Sequence, residues 1–218
     1  MSDIVNKAKR FLMEKFSGHR FFKSRPDKMI YRLEHTMRVC HIGEEIASGE
    51  GFDIEQTVLG CMLHDIGYCE EIISDDDWLN HGRRSAVIAE EFLNKEGYDE
   101  IKAKEILYGI AIHVDGVSDF EGERTPLALT IGDADNIDRF DAYRIYDFLE
   151  RNAFSSKPLH DKKEYVNSRI SRLDELFSFE LATKTAKKLW TGRIEFYRDF
   201  YYRLSDQLEN SDYEFTRF

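Results

Sequence analysis

The residues in this chain that could do chemistry fall where the surrounding pattern calls for apolar side chains. Asp65 follows Val58, Cys61 and Met62 by seven, four and three positions, the spacing of one helical face. A carboxylate there is buried, and an unpaired buried charge is costly, so it needs a metal, a cation or strong donors. His64 precedes it at a predicted helix end, where adjacent side chains can converge on one ion. Asp135 shares a face with Leu127, Ile131, Ala134 and Asp138, and the same short segment holds Asp133 and Asp141. Carboxylates this close repel one another unless solvent or a cation compensates. A solvated acidic face accounts for Asp141 and extends to Asp138, but it leaves Asp135 unexplained.

The histidines repeat the contradiction. His35 lies among Tyr31, Val39, Ile42 and Ile46 on one stripe. His113 follows Ile106 and Ile110 by seven and three positions, and His81 precedes Ser85, Ile88 and Phe92 by four, seven and eleven. For any one of them, the plain reading is a neutral ring hydrogen-bonded inside a core. His19 and His160 read as loop residues, and His41 as cover for a helix flank.

Periodicity places these residues on helices. Residues 3–16 form an amphipathic helix that ends at Ser17–Gly18, and a basic loop runs from His19 to Lys28. A helix from about Lys28 to Ser48 is stopped by Gly49–Gly51. Asp53 and Gln56 have capping-box spacing and start a helix that reaches Asp65 and breaks at Gly67. Residues 70–80 read as irregular. Further helices are expected from Gly82 to Lys95, from Asp99 to His113, and from Pro126 through Asp135 to Asp141 or beyond. Asp115 to Glu123 reads as a loop. The rest, to about residue 210, is helical with breaks near Pro158 and Ser178. Three prolines and scarce strand-type alternation agree with an all-α class. One domain is the simplest reading, with a core at about 28–150 and a C-terminal helical extension at about 151–210.

Hydrophobic residues at 42% and charged residues at 33% suit a globular chain with a real core rather than a disordered one. A formal net charge of −11 argues against a broad face for a nucleic acid polymer, although bound divalent ions can make one pocket locally positive. The three cysteines, Cys40, Cys61 and Cys69, form no Cys-x-x-Cys pair and are expected to be reduced. No signal-peptide-like stretch and no membrane-spanning run is evident. A cytoplasmic protein without membrane partners is the expectation.

In order, His35, His64–Asp65, His81, His113 and Asp135 lie in YRLEHTMRVCHIGEEIA, CMLHDIGY, NHGRRSAVIAEEFL, AIHVD and IGDADNIDRFDA. This set resembles the HD superfamily of metal-dependent phosphohydrolases, named for its paired His-Asp, over about residues 30–145. The resemblance implies an all-helical fold with a metal centre held by His35, His64, Asp65 and Asp135. Imidazoles and carboxylates suit manganese, iron, cobalt, nickel or zinc. Asp135 fits the family's last ligand, and Asp133 then stands behind it. His81 and His113 match positions that hold a second metal in some branches and contact phosphate or solvent in others, so one and two ions both stay open. The glycine-tyrosine-proline segment of the cyclic-dinucleotide phosphodiesterases is absent, because Cys69 follows Gly67–Tyr68.

The resemblance implies hydrolysis of a small phosphorylated substrate by metal-activated water. Asp65 would both bind metal and orient the water, and Asp138 or Asp133 would assist proton transfer. Arg83 and Arg84, near a helix N-terminus, and Arg38 and Arg139 are the candidates for holding phosphate. Each is otherwise an ordinary surface charge, and Glu34 and Arg38 already have pair spacing. The same ligand pattern resembles di-iron oxygenases on this scaffold, and a non-catalytic nucleotide-sensing module is a third class. The stretch EFYRDFYYRL is expected to pack against the core, with a homodimer surface as the alternative.

Overall fold

The computed structural model describes residues 2–70 and 72–211, and over them it is built of helices and turns, with no strand. Contacts divide it into two compact units. One takes the chain up to Asp138 together with Leu181–Ala186, and the other takes Arg139–Glu180 and the chain from Lys187 onward. No described helix is long and apolar enough to cross a membrane.

The first unit contains α1 (Asp3–Gly18), α2 (Arg20–Ser24), α3 (Pro26–Glu50), α4 (Ile54–Leu63), a 3-10 turn (Ile66–Cys69), α5 (Asp75–Lys95), α6 (Glu100–Ile112) and α7 (Pro126–Asp138). Helix α4 is the centre: every residue from Gln56 to Leu63 is buried, and α1, α3, α6 and α7 pack around it. Its start is fixed by Asp53, whose side chain accepts the Gln56 N–H. Gly51, at φ +74°, ends α3 in the left-handed conformation that glycine adopts without strain.

Three boundaries differ from the sequence expectation. The segment expected to be a basic loop contains α2, because Phe22 is buried against Phe16, and Pro26 opens α3 directly. Helix α5 begins at Asp75 rather than Gly82. Ser74 and Asp77 form a reciprocal capping box there, and Asp75, Asp76 and Asp77 lie at the positive end of the helix dipole. Helix α7 stops at Asp138, and Asp141 instead caps the next helix.

The second unit holds α8 (Ala142–Arg151), a 3-10 turn (Phe154–Ser156), α9 (Leu159–Ile170), α10 (Leu173–Phe177) and most of α11 (Lys184–Glu209). Trp190 is its anchor. Its ring meets Phe140 at 5.1 Å and Phe179 at 4.9 Å, and its indole N–H donates to the Leu176 carbonyl. Within EFYRDFYYRL, Tyr197 and Tyr201 are buried while Phe196 and Tyr202 are exposed.

Candidate metal centre

Five elements of the first unit each bring a polar side chain to one place. His35 comes from the middle of α3, His64 caps the end of α4, and Asp65 follows it. His81 sits in the second turn of α5, His113 caps the end of α6, and Asp135 lies near the end of α7. Adjacent side chains converge at His64–Asp65 because α4 stops: Asp65 leaves helical geometry at φ −108°, ψ 11°, and the 3-10 turn begins. That turn is pinned by the Gly67 N–H, which donates to the Ser85 hydroxyl at 2.9 Å.

The hydrogen bonds fix the ring orientations. His64 and His113 direct Nδ1 at the carbonyls of Cys61 and Ile110, at 2.8 and 2.7 Å, and His81 directs its own at the Trp78 carbonyl. A carbonyl only accepts, so Nδ1 carries the hydrogen and a neutral ring presents an Nε2 lone pair. His35 differs, giving Nδ1 to the Asp138 carboxylate at 2.8 Å.

All four Nε2 atoms point at carboxylates. Asp65 Oδ2 lies 3.5 Å from His35 and 3.6 Å from His64, and Asp135 Oδ1 lies 3.1 and 3.9 Å from the same two rings. Asp65 Oδ1 instead faces His81 at 3.3 Å and His113 at 3.7 Å. Asp65 therefore presents one oxygen to each pair of histidines. The ligand atoms of His35, His64 and Asp135 lie within 4.8 Å of one another, as do those of His64, Asp65 and His113.

These residues fit a transition-metal ion. The buried Nε2 atoms of His64 and His113 have no hydrogen-bond partner among the described residues. At His64 and His113 the nearest carboxylate oxygens lie 3.6–3.9 Å from Nε2, beyond ordinary hydrogen-bond length, an arrangement that a cation between them satisfies. The electrostatics set the rings of the metal-free site apart. Burial lowers His64 to about 4, so it is neutral at pH 7. Burial would depress His35 as well, but bonds to Asp135, Asp138 and Asp65 outweigh it and hold the ring well above its ordinary value. Burial would raise Asp65, yet the nearby His64 and Arg32 hold it well below the usual carboxylate range. Asp135 is likewise held down, chiefly by His35 against the pull of burial.

The other sequence candidates lie elsewhere. Asp133 stands two positions from Asp135, on the opposite side of α7, and accepts the Ala182 N–H at 2.9 Å, with burial raising it to about 6. Asp138 stays with the cluster through His35. Arg38 binds Asp138 with two nitrogens, at 2.7 and 3.1 Å. Arg83 is held by Asn80 and by both oxygens of Asp115, and Arg84 pairs with Asp77. Arg139 is exposed. His41 and His160 are exposed too, and His160 groups with Asp161 and Glu164 at the surface.

Sequence reasoning missed Arg32. Its Nη1 donates to Asp65 Oδ2 at 2.7 Å, and its guanidinium lies 3.4 Å from the centre of the Tyr68 ring. The available signal was spacing: Arg32 is one turn before His35, and Tyr68 is three residues after Asp65.

A model of the HD domain matches residues 32–140, a stretch that contains all six converging residues. This chain belongs to the HD-domain family. No curated protein matches it. Among solved structures, it resembles a predicted HD superfamily hydrolase from an uncultured Thermotogales bacterium. The identity is 21% and the TM-score 0.63, over 93% of this chain and 91% of that one. At that identity the likeness is one of fold.

Within this HD domain, α5 and α6 meet backbone to backbone beside the second pair of histidines. A Cβ at Gly82 would lie 2.8 Å from the Ala111 carbonyl oxygen and 3.1 Å from His113 Nδ1. Gly82→Ala is expected to force the helices apart, at a cost of about 1–3 kcal/mol, and to widen the His81–His113 spacing. Thermal melting and metal stoichiometry should both fall. A variant matching wild type in both measurements would show that the crossing does not set this geometry.

Proposed function

We propose that this HD-domain protein is a metal-dependent hydrolase that cleaves a phosphoester or phosphoanhydride bond in a small phosphorylated metabolite or nucleotide. The observation that carries the reading is Asp65, whose two oxygens each face a different pair of imidazole nitrogens. Family membership and the fold likeness to a predicted hydrolase support it.

His35, His64 and Asp135, with Asp65 Oδ2, would hold one divalent transition-metal ion, and His81 and His113, with Asp65 Oδ1, a second. When bound, such ions supply Lewis acidity towards a phosphoryl oxygen and lower the pKa of water towards neutrality. The chain's own residues do the rest. Asp65, bridging the two histidine pairs, sets their spacing and is placed to orient a water. Arg32 offers its remaining N–H donors to an anionic phosphoryl oxygen, with Tyr68 and Asp65 fixing the plane of the guanidinium. Burial of His35, His64 and Asp65 keeps bulk water from the ligand atoms. Arg32 contacts Asp65, a carboxylate of the ligand cluster, whereas Arg83, Arg84 and Arg38 pair with Asp115, Asp77 and Asp138, so Arg32 is the arginine this reading assigns to substrate. The net charge of −11 suits a small substrate rather than a polyanion.

The test is a screen of phosphorylated metabolites on manganese-loaded protein of measured metal content, run with Arg32→Met in parallel. Wild type should release phosphate from at least one substrate class. Arg32→Met should raise KM roughly tenfold or more, because a charged hydrogen bond contributes about 1.5–3 kcal/mol. No phosphate release from mono-, di- or triphosphates, together with oxygen consumption by iron-loaded protein, would replace hydrolysis with oxygenation.

A further inference from the structure

The four histidines are not equivalent, and the difference lies behind the rings. His64, His81 and His113 each donate Nδ1–H to a backbone carbonyl three residues earlier in the chain. His35 gives Nδ1 to Asp138, a carboxylate with a side chain 2% exposed. Asp138 is in turn gripped by Arg38, which donates Nε to Oδ1 at 2.7 Å and Nη2 to Oδ2 at 3.1 Å. Oδ2 thus serves both His35 and Arg38, so the carboxylate cannot rotate away from the ring without losing both.

We propose that Asp138, held by Arg38, is a positioning residue that makes His35 the strongest imidazole donor of the four, so the His35–His64–Asp135 group fills with a divalent ion before the group at His81 and His113. The physical cause is the partner at Nδ1. A carboxylate acceptor pushes electron density into the ring and raises its basicity as a ligand, which a neutral carbonyl does less. It also fixes the tautomer and the ring plane, so little ordering remains to be done when an ion arrives. Arg38 has a separate part. It compensates a carboxylate that would otherwise be buried with only an imidazole for company, and its two hydrogen bonds keep Asp138 aimed at the ring. The three carbonyl-backed histidines have correct tautomers but no such charge behind them. His81 and His113 both belong to that weaker set, whereas the first group contains His35 and a second carboxylate, Asp135.

This rests on the metal-site reading above, and the experiment separates the two. Metal-free wild type, Asp138→Asn, Asp138→Ala and Arg38→Met are titrated with Co2+, following visible absorption and equilibrium dialysis, with the melting temperature of each metal-free protein as a control. Wild type should bind a first ion more tightly than a second. Asp138→Asn keeps an acceptor for Nδ1–H but loses the charge, and should weaken the first ion roughly 10–100-fold. Asp138→Ala should weaken it further, Arg38→Met should act in the same direction, and the second ion should change little. His81→Ala should lose the second ion and keep the first. Equal first-ion affinity in wild type and Asp138→Asn overturns the inference, as does equal weakening of both ions, which would mark Asp138 as part of the general packing. If Asp138→Ala does not fold, Asp138→Asn and Arg38→Met decide the matter. A wild type that takes no Co2+ overturns the metal-site reading itself, and this inference with it.

Discussion

Replacing Asp65 with asparagine should abolish turnover, by a factor of about 1,000 or more, if its loss removes several kcal/mol of transition-state stabilisation. It should also weaken both ions rather than one. The geometry makes the effect unusually broad. Asp65 Oδ2 faces His35 and His64, Oδ1 faces His81 and His113, and Oδ2 also takes the Arg32 hydrogen bond. Asparagine preserves shape and one acceptor, but it places an amide NH2 among lone pairs and removes the charge. Asp65→Ala adds a stability cost, because Arg32 loses its carboxylate. Breaking a fully buried pair costs about 3–5 kcal/mol. Arg32 has a side chain 24% exposed, so the loss here should be smaller. Metal content per chain, phosphate release and melting temperature report the three consequences separately. An Asp65→Asn protein that keeps two ions per chain, or keeps turnover within tenfold of wild type, sinks the bridging role.

The residues that cluster are those whose polarity conflicts with a local apolar stripe, and that conflict is a property of a short stretch of sequence. His35 among Val39, Ile42 and Ile46, and Asp65 after Cys61 and Met62, are legible for this reason. The division between Asp133 and Asp135 rests on the family resemblance, and helix geometry accounts for it. Two positions on a helix point about 200° apart, so only one of them can face histidines carried on other elements. What was not legible depends on contacts distant in sequence. Arg83 looked available for phosphate, but Asp115, from the loop after α6, holds it with both oxygens. Arg32 carries no conflict with its local stripe to mark it, and only the fold lays it on Tyr68 and against Asp65. The start of α5 was legible in principle, since Ser74 and Asp77 have capping-box spacing, but the acidic run around them read as irregular.

Stripping metal with a chelator should lower the melting temperature, and restoring it should reverse the change. An ion that binds the native state and not the unfolded chain stabilises by mass action, by about 4.1 kcal/mol at a thousand times the dissociation constant. For a chain of this size each kcal/mol moves the melting temperature by about 2–4 °C, giving a shift of roughly 8–16 °C. The metal-free site offsets part of this. Arg32 already compensates Asp65, and His35, with its raised pKa, can hold a proton between Asp135 and Asp138. Two opposed carboxylates and the Nε2 atoms of His64 and His113, without a partner among the described residues, still remain, so the ion should win clearly. The change should be local. Amides of α3, α4 and α7 should gain hydrogen-exchange protection on metal loading, because those helices carry His35, His64 and Asp135. His64→Ala should abolish the shift, and the metal-free variant should itself melt below wild type, because it loses a fully buried ring and the Nδ1–H bond to the Cys61 carbonyl. Identical melting of chelated and metal-loaded wild type, under conditions where metal content is measured, would mean that His35, His64, Asp65 and Asp135 hold no ion in the folded protein.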